Sequence, residues 1–418
     1  MKKIGLFLFG ICFVLQMVAQ EHNYFTNPVI RGDVPDPSVI RVEDTYYATG
    51  TSSEWAPFYP MFTSKDLVNW KQVGHVFTKQ PSWTSNSFWA PELFYHNNKV
   101  YCYYTARQKS TGISYIGVAT SDSPLHEFTD HGPIVEYGKE AIDAFIYDDN
   151  GQLYISWKAY GLDTRPIELL GCKLSADGLH LDGEPFTLLV DEKGIGMEGQ
   201  YHFKKGDYYY IVYAAHGCCG PSSDYDVYVA RARNYGGPYE KYSGNPILHG
   251  GEGDYKSCGH GTVVRTSDGR MFYMCHAYLK GDGFFIGRQP ILQEMEMTDD
   301  HWVRFQTGNL AIAEQPVPFV GTKQEPLSDF EDNFKGNQLK VDWTWNYPYS
   351  DIHAVLKKGK LFLSGTPKNN NKYGTALCLR PQSPQYSCET KVINTGKGLK
   401  GLTLYGDDKN LIAWGIEG

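Results

Sequence analysis

Apolar runs that each open with one polar residue recur along residues 31–310 and are separated by turns rich in Asn, Asp and Gly. In the fourth repeat, Glu198 opens the run, a Lys-Gly-Asp turn follows at 205–207, and residues 208–213 read Tyr-Tyr-Tyr-Ile-Val-Tyr. Short runs that are rich in Tyr and β-branched residues and end in such turns are typical of strands joined in hairpins. The pattern therefore predicts short antiparallel strands rather than long amphipathic helices.

This pattern occurs five times, and the polar residues that open the repeats are 51 to 62 positions apart. They are Asp36, Glu92, Asp143, Glu198 and His260. Multi-strand repeats of about 40–60 residues indicate a β-propeller, so we predict an all-β, five-bladed propeller over residues 21–310. Equivalent positions on the innermost strands of a propeller face its axis, so the five side chains should converge at one end of that axis.

Carboxylates that converge at equivalent positions of a repeat lower the stability of the fold unless they are solvated, paired or used in chemistry. The five residues are therefore a candidate active site. Solvated surface residues at the hairpin entries are the alternative.

The N-terminus has the pattern of a secretory signal peptide. Lys2 and Lys3 precede the apolar run 4–18, and Ala19-Gln20-Glu21 follows it. A charged start, an apolar centre and a small-residue exit predict that residues 1–20 direct export to the periplasm or the exterior. A membrane anchor is the alternative, but the run is shorter than the roughly 20 residues of a membrane span.

Composition excludes some partners and leaves others open. The net charge is -8, and no run of five or six Lys or Arg occurs, which argues against nucleic acid. Aromatic residues reach 15%, which suits both strand cores and stacking on sugar rings. The cysteines match no zinc spacing, and a bond from the adjacent Cys218 and Cys219 to Cys258 remains open.

Motifs at the predicted blade entries resemble glycoside hydrolase family 43, whose five-bladed propeller enzymes cleave arabinose and xylose from plant polysaccharides. The motifs are Asn27-Pro28-Val29 with residues 32–39, Phe88-Trp89-Ala90-Pro91-Glu92, Ile142-Asp143-Ala144, Met197-Glu198-Gly199 and residues 258–262. Any one of them is a weak signal, but five in order at blade spacing are specific. The resemblance covers residues 27–310.

The resemblance implies catalytic roles for three carboxylates. Asp36 is expected to be the general base, because the family pattern places the base between two prolines, although Asp33 lies three residues earlier. Glu198 is expected to be the general acid, and Asp143 to orient it and raise its pKa through like charge. The family inverts anomeric configuration, which predicts carboxyl groups of Asp36 and Glu198 about 6.5–9.5 Å apart.

Four further residues are assigned by the resemblance with alternatives beside them. Trp89 is expected to line the sugar pocket or else to be a core Trp, and Arg288 to contact substrate or else to form a surface ion pair. His260 is expected to bind a hydrated calcium ion on the axis or else to be a hydrogen-bonded structural histidine. Glu92 stands where the family often has Asp and is expected to support the substrate site indirectly. The chemistry itself requires no cofactor.

The region after the propeller differs in composition. Residues 311–326 have the character of a linker, and residues 327–418 resemble the first half of the concanavalin-like sandwich of many family-43 xylosidases. Strands are expected at 360–364, 375–379, 386–392, 401–405 and 410–415. Loops 51–60 and 216–225 are expected to wall the pocket. The function implied is removal of terminal arabinofuranosyl or xylosyl groups from hemicellulose or pectin; endo-arabinanase activity and non-catalytic binding are the alternatives.

Overall fold

The computed structural model describes residues 24–160, 166–393 and 397–417 of the chain, so the predicted signal peptide lies outside the described residues. Five four-stranded antiparallel sheets follow one another along the chain, and each is one blade of a propeller. Blade 1 contains Ser38–Val42, Thr45–Thr49, Phe58–Ser64 and Lys71–Phe77, and blade 2 contains Thr84–His96, Lys99–Gln108, Ser114–Ser121 and Thr129–Val135.

The other three blades continue in chain order. Blade 3 contains Ala141–Asp149, Gln152–Ala159, Glu168–Lys173 and Phe186–Val190. Blade 4 contains Glu198–Lys205, Tyr208–Ala215, Asp226–Ala232 and Glu240–Lys241. Blade 5 contains Tyr255–Arg265, Met271–Leu279, Gln289–Met297 and Val303–Phe305. The first strand of each blade is an edge strand, and these five strands contact one another in a closed ring. The predicted five-bladed propeller is confirmed.

The ring is closed where its last blade meets its first. Tyr24–Thr26 pairs antiparallel with Glu314–Pro316, which lies inside the predicted linker. Beside this pair, the Asn27 amide donates to the carbonyl oxygen of Leu292 and accepts from its backbone N–H, at 2.9 and 2.8 Å. The N-terminal segment thus holds blade 5 through directional backbone contacts.

Five hydrophobic clusters fill the five spaces between neighbouring blades. Each blade therefore buries both of its faces, which explains why its strands are nearly continuous apolar runs. The tyrosines of the second strands lie in this core: Tyr46, Tyr103, Tyr104, Tyr210 and Tyr273 are almost completely buried. Most of the aromatic surplus is thus structural.

The region after residue 327 forms two-stranded sheets. Trp345–Asn346 pairs with Trp55–Ala56 of the loop inside blade 1, Ser350–Leu356 pairs with Leu361–Pro367, and Lys400–Tyr405 pairs with Leu411–Ile416. Two of the expected strands are wrong. Residues 375–379 contribute only an isolated bridge between Cys378 and Thr344, and residues 386–392, all described by the structure, form no strand.

Helical structure is sparse in the described residues. A single-turn 3₁₀ helix at Phe284–Ile286 precedes the third strand of blade 5. Within the described ranges, no helix is long and apolar enough to cross a membrane.

Candidate active site

One residue in the entry to each innermost strand has a left-handed backbone. These residues are Asp36, Ala90, Asp143, Gly199 and His260, with φ between 38° and 60°. In blades 2 to 5 the ladder is irregular around this residue, as in a β-bulge. Positive φ is unfavourable for residues other than Gly and concentrates at functional sites. The bulge is therefore the structurally matched position of the five blades.

In two blades, the polar residue that opens the sequence repeat is not the residue at the structurally matched position. Glu198 lies one residue before the matched position, and Glu92 lies two residues after it. Gly199 takes the matched position of blade 4 because a Cβ there would lie 2.5 Å from Cγ of His260. The carboxylate of blade 4 is therefore presented from the neighbouring position.

Glu92 does not join the other four polar residues. Its carboxylate accepts a hydrogen bond from Oγ of Ser38 at 2.7 Å, and Ser38 itself lies two residues beyond Asp36. Residues two positions past the bulges contact one another elsewhere in the ring as well, as Phe145 and Tyr201 do, with ring centroids 4.5 Å apart. Glu92 thus belongs to the next layer of the axial channel. Burial raises its pKa to about 8, although the bond from Ser38 lowers it.

Asp36 lies in a cationic surrounding. Its Oδ1 is 3.5 Å from Nη1 of Arg288 and 3.4 Å from Nδ1 of His260, and its Oδ2 accepts from the Thr51 hydroxyl at 2.6 Å. Burial by itself would raise the pKa of Asp36, but Arg288, His260 and His276 hold it well below its usual range. The carboxylate stays ionised, as a general base must.

His276 is a neighbour of Asp36 that the sequence analysis missed. Its Nδ1 lies 3.1 Å from both the backbone nitrogen and Oδ1 of Asp36, and the ring tautomer decides which bond it makes. Burial lowers the pKa of His276 to about 4, so the ring is neutral at neutral pH. It lies in a continuous apolar strand of blade 5, where nothing in the sequence distinguishes it from a core residue.

Asp143 differs from Asp36 in its partners. Its Oδ2 accepts from the Gly199 N–H at 3.1 Å, and Nδ1 of His260 lies 3.8 Å from that oxygen. Burial raises the pKa of Asp143 to about 6, against the lowering effect of His260, and the nearby charge of Glu198 adds to the increase. Two matched carboxylates of one ring thus have opposite pKa shifts.

Glu198 is paired with a lysine that the sequence analysis did not single out. Its Oε2 lies 2.5 Å from Nζ of Lys158, and its Oε1 accepts from the Tyr225 hydroxyl at 2.9 Å. Burial would raise the pKa of Glu198, but Lys158 and Tyr225 lower it overall. A raised pKa was expected for Glu198, but the raised pKa lies on Asp143 instead. A lysine buried in the apolar strand Gln152–Ala159 was the available signal.

His260 has its Nδ1 directed towards Asp36 and Asp143. Among the residues that the structure describes, no group of three or more His, Cys, Asp and Glu side chains has an arrangement that fits a metal ion. The expected calcium ion therefore stays a prediction, and no catalytic step below depends on it.

Arg288 lies beside Asp36, whereas the pocket role of Trp89 stays a prediction. Arg288 contacts Asp36 directly, and its side chain is only 14% exposed, so it is not a surface ion-pair residue. Trp89 is half-buried and immediately precedes the bulge residue Ala90 in blade 2. It therefore lies next to the matched position of its blade.

Both predicted loops adjoin the carboxylates. Thr51 begins the first loop and bonds Asp36, and Tyr225 ends the second and bonds Glu198. Cys218 and Cys219 form a disulfide with each other, so the alternative bond to Cys258, a buried free thiol, is wrong. The second loop is thus constrained next to Glu198.

Comparison with known proteins identifies the family of this chain. The family model for glycosyl hydrolases family 43 matches residues 25–303. A xylan 1,3-β-xylosidase of a Vibrio species is 28% identical over 91% of this chain and 76% of its own length. The non-reducing end α-L-arabinofuranosidase BoGH43B of Bacteroides ovatus is 28% identical over 98% of this chain and 78% of its own length.

Solved structures show the same architecture. The family-43 protein BlXynB of Bacillus licheniformis superimposes with a TM-score of 0.72 at 25% identity, over 86% of this chain and 72% of its own. The match extends past the propeller into the C-terminal region. From the family match over two thirds of its length, together with the five-bladed ring and its carboxylates, the chain belongs to glycosyl hydrolase family 43 and is a glycosidase.

Proposed function

We propose that this protein is an exported, inverting exo-glycosidase that removes terminal α-L-arabinofuranosyl or β-xylosyl groups from plant polysaccharide side chains. One observation carries the proposal. A single buried site holds a carboxylate kept ionised by cations, Asp36, and a second carboxylate pair, Asp143 with Glu198, in which the pKa of Asp143 is about 6. Hydrolysis of a glycoside with inversion needs an ionised base and a protonated acid at one pH.

Asp36 acts as the general base. It accepts a proton from a water molecule while the water oxygen forms its bond to the anomeric carbon. Arg288 and His260 keep Asp36 ionised before this step and contact its Oδ1. The two prolines that flank Asp36 restrict its backbone, and the Thr51 hydroxyl fixes one carboxylate oxygen.

Glu198 donates a proton to the glycosidic oxygen as its bond to the anomeric carbon breaks. Asp143 and Glu198 share this proton. The proton can reside on Glu198 only when the ion pair between Glu198 and Lys158 weakens, and this must happen as substrate enters. Asp143 positions Glu198 because it accepts a hydrogen bond from the next residue, Gly199. After turnover, Asp36 holds one proton and Glu198 has lost one, and exchange with solvent restores the site.

The substrate class follows from the relatives. The names of the Vibrio and Bacteroides proteins specify a xylosidase and a non-reducing end arabinofuranosidase, and a 30% identical relative of Cellvibrio japonicus is named as an extracellular exo-α-(1→5)-L-arabinofuranosidase. We place arabinofuranosides first and xylosides second. Export is proposed from residues 1–20, whose charged and apolar pattern fits a signal peptide.

The test is a paired assay on nitrophenyl α-L-arabinofuranoside and nitrophenyl β-xyloside. Release of nitrophenol from at least one of them is expected, and the ratio of the two kcat/KM values ranks the sugars. If neither is cleaved while linear arabinan yields short oligomers, the exo assignment is wrong and the endo alternative holds. Proton NMR of the first-formed sugar should show the inverted anomer; a retained anomer contradicts the assigned roles of Asp36 and Glu198.

A further inference from the structure

The region after residue 327 reaches the active site through one arginine. Arg380 lies two residues after Cys378, whose backbone exchanges two hydrogen bonds with Thr344, at 2.7 and 2.9 Å. Its Nη2 donates to Oε1 of Gln72 in blade 1 at 2.6 Å, and Nε2 of Gln72 donates in turn to the carbonyl oxygen of Val341 at 2.9 Å. Two contacts from different parts of the C-terminal region thus meet on one propeller side chain.

Arg380 contacts the segment that leads into Asp36. Its Nη1 lies 3.4 Å from the carbonyl oxygen of Asp33, and a Cβ on Gly32 would lie 3.0 Å from the carbonyl oxygen of Pro381. The backbone of 380–381 is therefore packed directly on residues 32–33. No side chain other than hydrogen fits at Gly32 without a shift of this contact, and its φ of 87° also favours glycine.

Asp33 in turn holds Arg288. Its Oδ1 accepts from the Arg288 N–H at 2.8 Å, and a Cβ on Gly287 would lie 2.3 Å from that oxygen. The adjacent Val34 N–H donates to the carbonyl oxygen of Arg288 at 3.0 Å. The backbone of Arg288 is thus fixed from both sides by residues 33–34, and its side chain extends to Asp36.

We propose that Arg380 is a positioning residue for the catalytic base, acting through Asp33 and Arg288, so that the C-terminal region is part of the catalytic unit. The inference rests on the proposed function. The charged and titratable groups around the Asp33 carboxylate are Arg288 and Tyr278 of blade 5, Arg380 of the C-terminal region, and Asp36 of its own segment.

The physical basis is the charge state of Asp33. The Asp33 side chain is exposed, but its Oδ1 is packed against Gly287 and the Arg288 N–H. Partial loss of hydration raises the pKa of Asp33, and Arg288 and Arg380 counteract that increase. Without Arg380 the pKa of Asp33 rises further. A protonated Asp33 binds the Arg288 N–H less strongly, because hydrogen bonds to ionised acceptors are the stronger ones. Arg288 then holds Asp36 less well.

The experiment measures kcat/KM against pH on the better aryl glycoside for wild type, Arg380→Gln and Arg380→Lys. The acidic limb of the Arg380→Gln profile should move to higher pH, with activity near pH 5 falling roughly 3-fold to 10-fold more than activity near pH 7.5. Arg380→Lys keeps the charge and should restore most of the profile. In an Asp33→Asn background, Arg380→Gln should cause no further shift.

The matched control is Tyr347→Phe. Tyr347 is another contact of the C-terminal region with the propeller, because its hydroxyl donates to the carbonyl oxygen of Ser85 at 2.6 Å. This variant should lower the melting temperature and leave the pH profile unchanged. If Arg380→Gln fails to fold, Gln72→Met is the substitute, because it removes the hydrogen bond that holds Arg380. The acidic limb should then move in the same direction by a smaller amount.

Two results overturn the inference. One is an unchanged acidic limb in Arg380→Gln with a lowered melting temperature, which would make Arg380 a purely structural contact. The other is an equal shift in Tyr347→Phe. If the wild-type protein cleaves no substrate, it is the proposed function that fails. A crystal structure of Arg380→Gln then tests the inference about Arg380. The Arg288 guanidinium should no longer contact Asp36, and an unchanged Arg288–Asp36 contact would contradict the inference.

Discussion

The propeller and the region after residue 327 are both built from short antiparallel strands, but they bury them differently. Each blade packs both faces on its neighbours, and Trp157 in blade 3 is completely buried. In the C-terminal region, Trp414 is 62% exposed, and several other large apolar side chains of the same region are exposed as well. Trp414 nevertheless lies in a strand, Leu411–Ile416, which pairs with Lys400–Tyr405. The contrast shows that a hairpin partner is enough to form a strand here, whereas burial of both faces requires the neighbouring blades of the ring.

The same contrast explains where strand prediction succeeded. The hairpins of the five blades were expected from turns and Tyr-rich runs, and each lies in a four-stranded sheet. In the C-terminal region only the expected strands that found a hairpin partner formed, at Leu361–Pro367, Lys400–Tyr405 and Leu411–Ile416. Residues 375–379 and 386–392 have a similar pattern but no partner strand to extend them.

The largest expected effect separates the two regions by activity. Asp36→Asn and Glu198→Gln should each lower kcat about 10²-fold to 10⁴-fold, the contribution of one general base or acid. Asp351→Asn removes a carboxylate from the C-terminal region, where it pairs with Lys368 at 2.5 Å, and should leave kcat unchanged. Near wild-type turnover in Asp36→Asn would refute the assignment of the base; circular dichroism would establish that the variants are folded.

The next effect separates the regions by stability. Trp157→Ala should lower the free energy of unfolding in urea by about 3–5 kcal/mol, because it opens a cavity between blades 2 and 3. Trp414→Ala should change it by at most about 0.5 kcal/mol, as for most exposed residues. A large loss in Trp414→Ala would mean that further protein covers this surface in solution.

Glu92 tests whether the axial channel buries a neutral carboxyl group. A carboxyl group whose pKa rises to about 8 on folding binds more protons in the folded state, so its stabilising effect is present at low pH and lost as pH rises towards 8. Glu92→Gln should therefore be more stable relative to wild type at pH 8 than at pH 5, by on the order of 2 kcal/mol. The exposed Glu389→Gln should show no such difference. An equal stability difference between Glu92→Gln and wild type at both pH values would mean that the Glu92 carboxylate is hydrated and ionised in the folded protein.

Lys158 gives the smallest expected effect. Lys158→Met removes the cation that lowers the pKa of Glu198, so the pKa of Glu198 should rise and the alkaline limb of kcat/KM should move to higher pH. The maximal rate should fall by about tenfold, because the orientation of Glu198 is also lost. Lys357→Met, at an exposed position of the C-terminal region, is the control. An alkaline limb that stays in place would show that Glu198 does not supply the titrating proton.

Much of the candidate site was accessible from sequence. Asp36, Asp143, Glu198 and His260 were found from repeat spacing and motifs, and the structure brings them together. Glu92 was not matched correctly, because the bulge in blade 2 lies at Ala90 and moves Glu92 one layer along the axis. A repeat aligned by residue type does not detect a bulge, because the signal is backbone conformation.

Turn residues and apolar runs act locally, so the number of blades, the strand hairpins and the carboxylates that carry the chemistry could be predicted from the sequence. The charge states of these carboxylates and the side chains that pair with them depend on tertiary contacts. Lys158 and His276 lie on strands of blades 3 and 5, and Tyr225 ends a loop of blade 4. They reach Glu198 or Asp36 only when the chain is folded into the ring. Burial and pairing depend on distances between residues far apart in the chain. For that reason the raised pKa lies on Asp143 rather than on Glu198.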